Sequence, residues 1–128
     1  MHILIVDDSL ASRRLITHAL RHQGDEGWTS SEAASGPEAL LRVPLDSPDL
    51  ILTDLSMPEM DGMEMVRVLK AAGQEIPIGM ITAFDAPETR TEAQEAGIRF
   101  VLVKPFDPDI LCKAVRMICD EIAKQVEA

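Results

Sequence analysis

The sequence predicts a doubly wound α/β fold: a five-stranded parallel sheet between two layers of helices, five helices in all, in three α/β/α layers. Three observations carry that expectation. Four short apolar runs, Ile3–Val6, Leu50–Thr53, Ile76–Thr82 and Phe100–Val103, are continuous rather than alternating, as strands buried on both faces are. Segments with helical spacing separate these runs, and capping residues punctuate the boundaries. Strands alternating with helices imply parallel pairing, and right-handed crossovers then put helices on both faces of the sheet.

Each element follows in order. The first strand, Ile3–Val6, runs directly into Asp7-Asp8. Leu15, Ile16, Ala19 and Leu20 give the next segment one apolar helical face, and Gly24 and Gly27 close it. Trp28–Ala33 is a weaker strand that suits an edge of the sheet. Ser35 with Glu38 has the spacing of a capping box and opens the second helix. Leu50–Thr53 leads into Asp54. A second box, Asp61 with Glu64, opens a helix carrying Met63, Val66 and Leu69 that Gly73 ends. Within Ile76–Thr82, Gly79 weakens the strand and fills no core volume, so it reads as a packing concession. Asp85 with Glu88 predicts a third box, for a helix closed by Gly97. Phe100–Val103 leads into Lys104, and Asp107-Pro108 supplies an N-cap and a first helical residue. The last helix carries Ile110, Leu111, Ala114, Val115, Ile118 and Ile122. These elements use the whole length, so residues 1–128 are expected to form a single domain.

Composition narrows the function classes. With 46% hydrophobic and 27% charged residues the chain has enough apolar surface to fold, which argues against disorder. No apolar run approaches the roughly 18 residues of a membrane span, and Met1-His2-Ile3 lacks the basic start of a signal peptide, so a cytoplasmic location is expected. The net charge of -10 disfavours direct binding to nucleic acid, which rewards clustered Lys and Arg, and favours basic partners or cations. Cys112 and Cys119 share one helix, about 10 Å apart along its axis, too far for a disulfide, and read as small core residues. His18 and His22 stand one helical turn apart with no further ligand nearby, which fits a solvated face better than a metal site. Met57, Met60, Met63 and Met65 read as core filling.

The chemistry gathers at one edge. Asp7, Asp8, Asp54, Thr82 and Lys104 each stand at or just beyond the carboxyl end of a strand. In an open α/β sheet that edge is where ligands bind, so these distant residues converge on one crevice. Taken singly, Asp7 and Asp8 could be acids favoured by a helix N-terminus, and Asp61 is best read as a cap. Gathered carboxylates repel one another unless a cation joins them, and donors that are all oxygen suit Mg2+, with Mn2+ as a substitute; zinc is disfavoured.

Asp7-Asp8, Asp54 within Asp54-Leu55-Ser56-Met57-Pro58-Glu59-Met60-Asp61-Gly62, Thr82-Ala83 and Lys104-Pro105-Phe106 together resemble the response-regulator receiver domains of two-component signalling, along the whole chain. The resemblance implies a flavodoxin-like fold of the chemotaxis-receiver kind, with strand order 2-1-3-4-5. It implies phosphorylation of Asp54 by a sensor histidine kinase or a histidine phosphotransfer protein. Asp8, Asp54 and the main-chain carbonyl of Ser56 would hold Mg2+, with Asp7 assisting through water. Lys104 would pair with one phosphoryl oxygen and Thr82 with another, and the Lys104-Pro105 bond would be cis. The face built from the fourth helix, fifth strand and fifth helix would engage a downstream target protein or a second copy of the chain. Two departures stand out. Many receivers carry Tyr or Phe three residues before the lysine, where this chain has Val101; Phe100 beside it should point to the opposite face by strand alternation. Ser56 and Phe84 occupy the positions that flank the hydrolytic water, and the bulk of Phe84 is expected to lengthen the life of the phosphoryl group.

The competing class is an aspartate-nucleophile, Mg2+-dependent phosphohydrolase of small molecules. Such enzymes place the nucleophile after the first strand in Asp-x-Asp, whereas this chain has Asp7-Asp8-Ser9 there and no cap insertion. A flavin-binding module of the same topology lacks support, because no Ser/Thr/Gly-rich phosphate loop follows the first strand. Whether the receiver acts alone or within a larger regulator is open at this level.

Overall fold

A strand without polar alternation has no face to give to water, and the central strands follow that rule. The structure, a computed structural model, describes residues 1–127. Strands β1 (His2–Val6), β2 (Thr29–Ala33), β3 (Leu50–Thr53), β4 (Ile78–Thr82) and β5 (Phe100–Val103) pair in parallel in the order β2-β1-β3-β4-β5, as expected. Every residue of β3 and β4 is buried, while edge strands β2 and β5 are partly open. The fourth strand begins at Ile78 rather than Ile76: Pro77 has no N–H to give the ladder, although its carbonyl still accepts from Ile51 N–H at 3.0 Å.

Helices α1 (Leu10–Gln23), α2 (Gly36–Asp46), α3 (Gly62–Ala71), α4 (Pro87–Glu95) and α5 (Pro108–Glu127) cover both faces. Strand alternation divides the core between them. Ile3, Ile5, Leu50, Leu52 and Ile81 meet Ile16 and Leu20 of α1 and Leu111, Val115 and Ile118 of α5. Leu4, Val6, Ile51 and Met80 meet Val43 of α2, Met65, Val66 and Leu69 of α3, and Ala93 of α4. Fully burying one such side chain contributes about 1.5–3 kcal/mol, which is why the sheet centre anchors the fold.

The helix starts bear out two of the three expected boxes in part or whole. Asp61 Oδ1 accepts from Glu64 N–H at 2.8 Å, and Glu64 Oε1 accepts from Asp61 N–H at 3.4 Å, a complete box. Ser35 Oγ accepts from Glu38 N–H at 3.2 Å, but Glu38 reaches back to Ala34 N–H at 3.0 Å. The Asp85–Glu88 box does not form. Pro87 takes the first helical position, which moves the N-cap to Ala86, and Asp85 pairs with Arg90 at 2.6 Å instead. Asp107 caps α5 by accepting from Asp109 N–H at 2.9 Å. Gly73 and Gly97 end α3 and α4 with φ of 78° and 80°; at α1, Gly24 is extended and Gly27, at 88°, carries the left-handed turn. Helix α2 continues through Pro44 to Asp46.

Gly79 has a tertiary reason: a Cβ there would lie 2.3 Å from the ring of Phe100, which occupies the space. Cys112 is buried and Cys119 half-buried, and both are free thiols. Met57, Met63 and Met65 are core residues, with Met60 packed at the margin. His18 and His22 are exposed, their ring centroids 4.1 Å apart. No helix among the described residues is long and apolar enough to cross a membrane.

Candidate functional site

The parallel ladder runs one residue past several strands and so fixes what stands at their carboxyl ends. Asp7 N–H donates to Ala33 O at 3.1 Å, Asp54 N–H to Val6 O at 2.9 Å, and Lys104 N–H to Thr82 O at 2.8 Å. Side chains 97 residues apart in sequence are thereby brought into contact. Carboxylate oxygens of Asp7, Asp8 and Asp54 lie within 4.8 Å of one another, with Asp7 and Asp54 buried and Asp8 exposed. Lys104 Nζ lies 2.7 Å from Asp7 Oδ2, 3.0 Å from Asp54 Oδ2 and 3.2 Å from Ser12 Oγ. Partial burial acts to lower the lysine pKa, but hydrogen bonds to Asp7 and Asp54 and the charges of both outweigh it and hold Lys104 above its ordinary value.

One ammonium cannot neutralise three carboxylates. Two oxygens on opposite sides of a hard divalent ion stand about 4.2 Å apart, twice a bond of about 2.1 Å, so the observed spacing fits such an ion. Asp8, open to solvent, leaves room for water to complete the coordination. The loop that follows β3 is held from beneath. Thr53 Oγ1 donates to Asp54 O at 2.9 Å, and Gly62 packs so closely that a Cβ would come within 2.3 Å of the same oxygen. Ser56 is exposed, and its N–H reaches Asp54 Oδ1 at 3.4 Å. Glu59 adopts a φ of 68° in a tight turn closed by Met60 N–H to Pro58 O at 2.7 Å.

Of the residues singled out in the sequence, Asp7 and Asp54 meet Lys104 directly, and Asp8 lies within 4.8 Å of both carboxylates. Thr82 is fully buried at the same edge, but its hydroxyl accepts from Phe84 N–H at 3.1 Å. Phe84 is 56% exposed and lines, with Ser56 and Met57, a cleft of about 480 Å³. Val101 packs on the α2–α3–α4 side, whereas Phe100 packs on the α1–α5 side, as alternation requires. The Lys104-Pro105 peptide is cis.

Sequence reading missed three supports of this site. Ser9 caps α1 by accepting from Ser12 N–H at 3.2 Å and donates its own N–H to Asp7 Oδ1 at 2.9 Å. Arg13 donates to Asp7 O at 2.7 Å and pairs with Glu32 at 2.9 Å. Ser9 stands where a helix N-cap belongs and was findable on that signal. Nothing in the spacing of Ser12 marks its contact with Lys104.

Relatives are similar to this chain along most of its length. The family described as response regulator receiver domain matches residues 3–116. Response regulator MprA of Mycobacterium ulcerans (strain Agy99) is 35% identical over 116 residues, 91% of this chain and 49% of that protein. The chain therefore spans about half the length of the MprA relatives that it matches. Sporulation initiation phosphotransferase F of Bacillus subtilis (strain 168) is 35% identical over 114 residues, 89% of this chain and 90% of that protein. Among solved structures, chemotaxis protein CheY4 of Vibrio cholerae shares the fold with a TM-score of 0.82 and 34% identity over 91% of this chain and 97% of that one. The Francisella response regulator 1452 receiver domain gives a TM-score of 0.86 at 26% identity, over 94% and 98% of the two chains. Carboxylates and a lysine gathered at the sheet edge, within a family match that runs from β1 into α5, mean that this chain belongs to the response regulator receiver domains of two-component systems.

Proposed function

We propose that this receiver accepts a phosphoryl group on Asp54 in a Mg2+-dependent reaction and thereby switches its contacts with a partner protein. The observation that carries the reading is the clustering of Asp7, Asp8 and Asp54 with Lys104 bridging two of them. Asp8, Asp54 and the Ser56 carbonyl would hold the ion, with Asp7 assisting through water. When bound, Mg2+ offsets the negative charge of the transferring phosphoryl oxygens.

The donor is a phosphohistidine on a sensor histidine kinase or a histidine phosphotransfer protein; the relative named as a sporulation phosphotransferase supports a relay of this kind. A carboxylate oxygen of Asp54 bonds to phosphorus as the phosphorus–nitrogen bond breaks, and the electron pair leaves with the imidazole. Such transfer needs positioning and charge compensation more than covalent help, and Lys104 supplies both by following the oxygen on which charge develops. Thr82 then turns its hydroxyl from Phe84 N–H to a phosphoryl oxygen, which moves the loop that carries Phe84. With Val101 in place of an aromatic residue, that loop rather than a swinging ring carries the signal.

Residues 1–128 act as one receiver unit, and the same reading puts it in the cytoplasm with its donors. It catalyses only its own phosphorylation and dephosphorylation. The output face is α4, β5 and α5, where Met117 is 66% exposed beside the Arg99–Glu121 ion pair, and its occupant is a downstream target protein or a second copy of the chain. The test is to incubate the chain with Mg2+ and a small acyl phosphate and follow intact mass. One added phosphoryl group is expected, lost in Asp54→Asn and in the presence of chelator. A gain that persists in Asp54→Asn would refute the assignment.

A further inference from the structure

An ammonium has three N–H donors, and each of those on Lys104 has a defined acceptor. Asp7 and Asp54 set the charge balance. They do not explain the third contact, to the neutral hydroxyl of Ser12 at 3.2 Å. A serine inside a helix commonly bonds back to a carbonyl of the preceding turn, but here its oxygen accepts from Lys104. Ser12 is half-buried in the first turn of α1, and that turn is anchored at both sides. Its N–H donates to Ser9 Oγ at 3.2 Å, and the neighbouring Arg13 donates to Asp7 O at 2.7 Å. Asp7 and Ser12 thus belong to one braced segment that grips the ammonium from two directions, while Asp54 meets it from a third.

We propose that Ser12 is a positioning residue for phosphoryl transfer to Asp54: together with Asp7 it clamps Lys104 so that the remaining N–H faces the oxygen where the phosphoryl group arrives. This inference rests on the reading of Asp54 as the phosphoryl acceptor. A phosphoryl oxygen replaces Asp54 Oδ2 as the third acceptor, and the Asp7 and Ser12 contacts stay in place. Lysine is a flexible point charge, unlike the planar arginine fork, so a second fixed acceptor does for it what rigidity does for arginine. Accepting from Lys104 also leaves the Ser12 hydroxyl proton free.

Ser12→Ala removes the acceptor and replaces serine with a better helix former, so the fold should hold; Ser12→Thr keeps the hydroxyl. The full chain with Mg2+ is phosphorylated by acetyl phosphate over a range of concentrations and followed by intact mass. The maximal rate of Ser12→Ala is expected to fall about fivefold to tenfold, as for loss of one charge-assisted hydrogen bond, with the half-saturating donor concentration unchanged. Ser12→Thr is expected to return to within about twofold of the parent. Independently of phosphate, the Lys104 ammonium should give a slowly exchanging nitrogen-15 signal in the parent and in Ser12→Thr, lost in Ser12→Ala. A parent phosphorylated on Asp54 at the same rate as Ser12→Ala overturns the inference alone, as does a defect that threonine fails to rescue or an ammonium signal indifferent to Ser12→Ala. A parent that takes no phosphoryl group overturns the reading of Asp54, and the inference with it.

Discussion

Phe84 presents its ring to solvent while its N–H is tied to the hydroxyl of Thr82 at 3.1 Å. If Asp54 carries the phosphoryl group as proposed, a large apolar side chain on the loop after Thr82 limits the access of water to it, so Phe84→Ala should shorten the life of the phosphorylated form, by about threefold if one water position opens. The decay of phosphorylated mass after removal of the donor measures this, and an unchanged decay sinks the role. Cys112 makes a different point about single residues. Burial is the largest influence on its thiol and pushes its pKa up, with Arg116 opposing and Asp109 and Asp25 assisting. A raised pKa in the folded state means that the contribution of Cys112 to stability is complete below the ordinary thiol value and is lost as pH climbs through the raised one. At mildly alkaline pH a thiol reagent should therefore label half-buried Cys119 first and reach Cys112 only on unfolding, as mass mapping of the labelled peptides would show.

Among the elements, α4 is the least secured. Its N-cap, Ala86, makes no side-chain hydrogen bond, Ala93 is its one buried residue, and its ends carry mainly polar side chains. By contrast α3 has a complete capping box and five buried residues, Gly62, Met63, Met65, Val66 and Leu69. Helix α4 should accordingly show the fastest amide exchange of the helices interior to the chain, α1 to α4, a consequence of shallow burial. Ala86→Asp should supply the missing acceptor and raise stability by about 1 kcal/mol, measured by denaturant unfolding. The looseness suits an element on the face proposed to respond to Asp54, because a helix with little to lose can shift between packings. The strands differ in the same physical terms: β3 and β4 are buried throughout, and Gly79 in β4 is tolerated because Phe100 from β5 occupies the volume a side chain would need.

For the molecule as a whole, the net charge of -10 is concentrated in its effect where Asp7, Asp8 and Asp54 converge. Lys104 is the compensating charge in the described site, and its raised pKa keeps it protonated through the neutral range; the stability it contributes is present below the ordinary lysine value and fades only as pH rises through the raised one. Lys104→Ala should lower stability in chelator by about 1–2 kcal/mol, since two buried carboxylates lose their partner. Mg2+ should then stabilise this variant more than it stabilises the parent, in thermal melts at matched ionic strength; no gain in either protein would contradict cation binding among these acids. Much of this molecule was legible before any coordinates. Continuous apolar runs marked β1, β3 and β4 as buried strands, whereas the equally apolar run Phe100–Val103 is only half-buried, because β5 lies at an edge of the sheet and sheet order is not written in a local run; the position of each strand end determined that Asp7, Asp8, Asp54 and Lys104 share one edge. What only the tertiary structure decided are choices between neighbours remote in sequence. Asp85 pairs with Arg90 rather than capping α4, Phe100 fills the place left by Gly79, and Ser12 completes the hold on Lys104. Periodicity records which face a residue turns to, but a hydrogen bond across 92 positions of chain depends on the side-to-side spacing of strands and helices, which exists only once the sheet has closed its order.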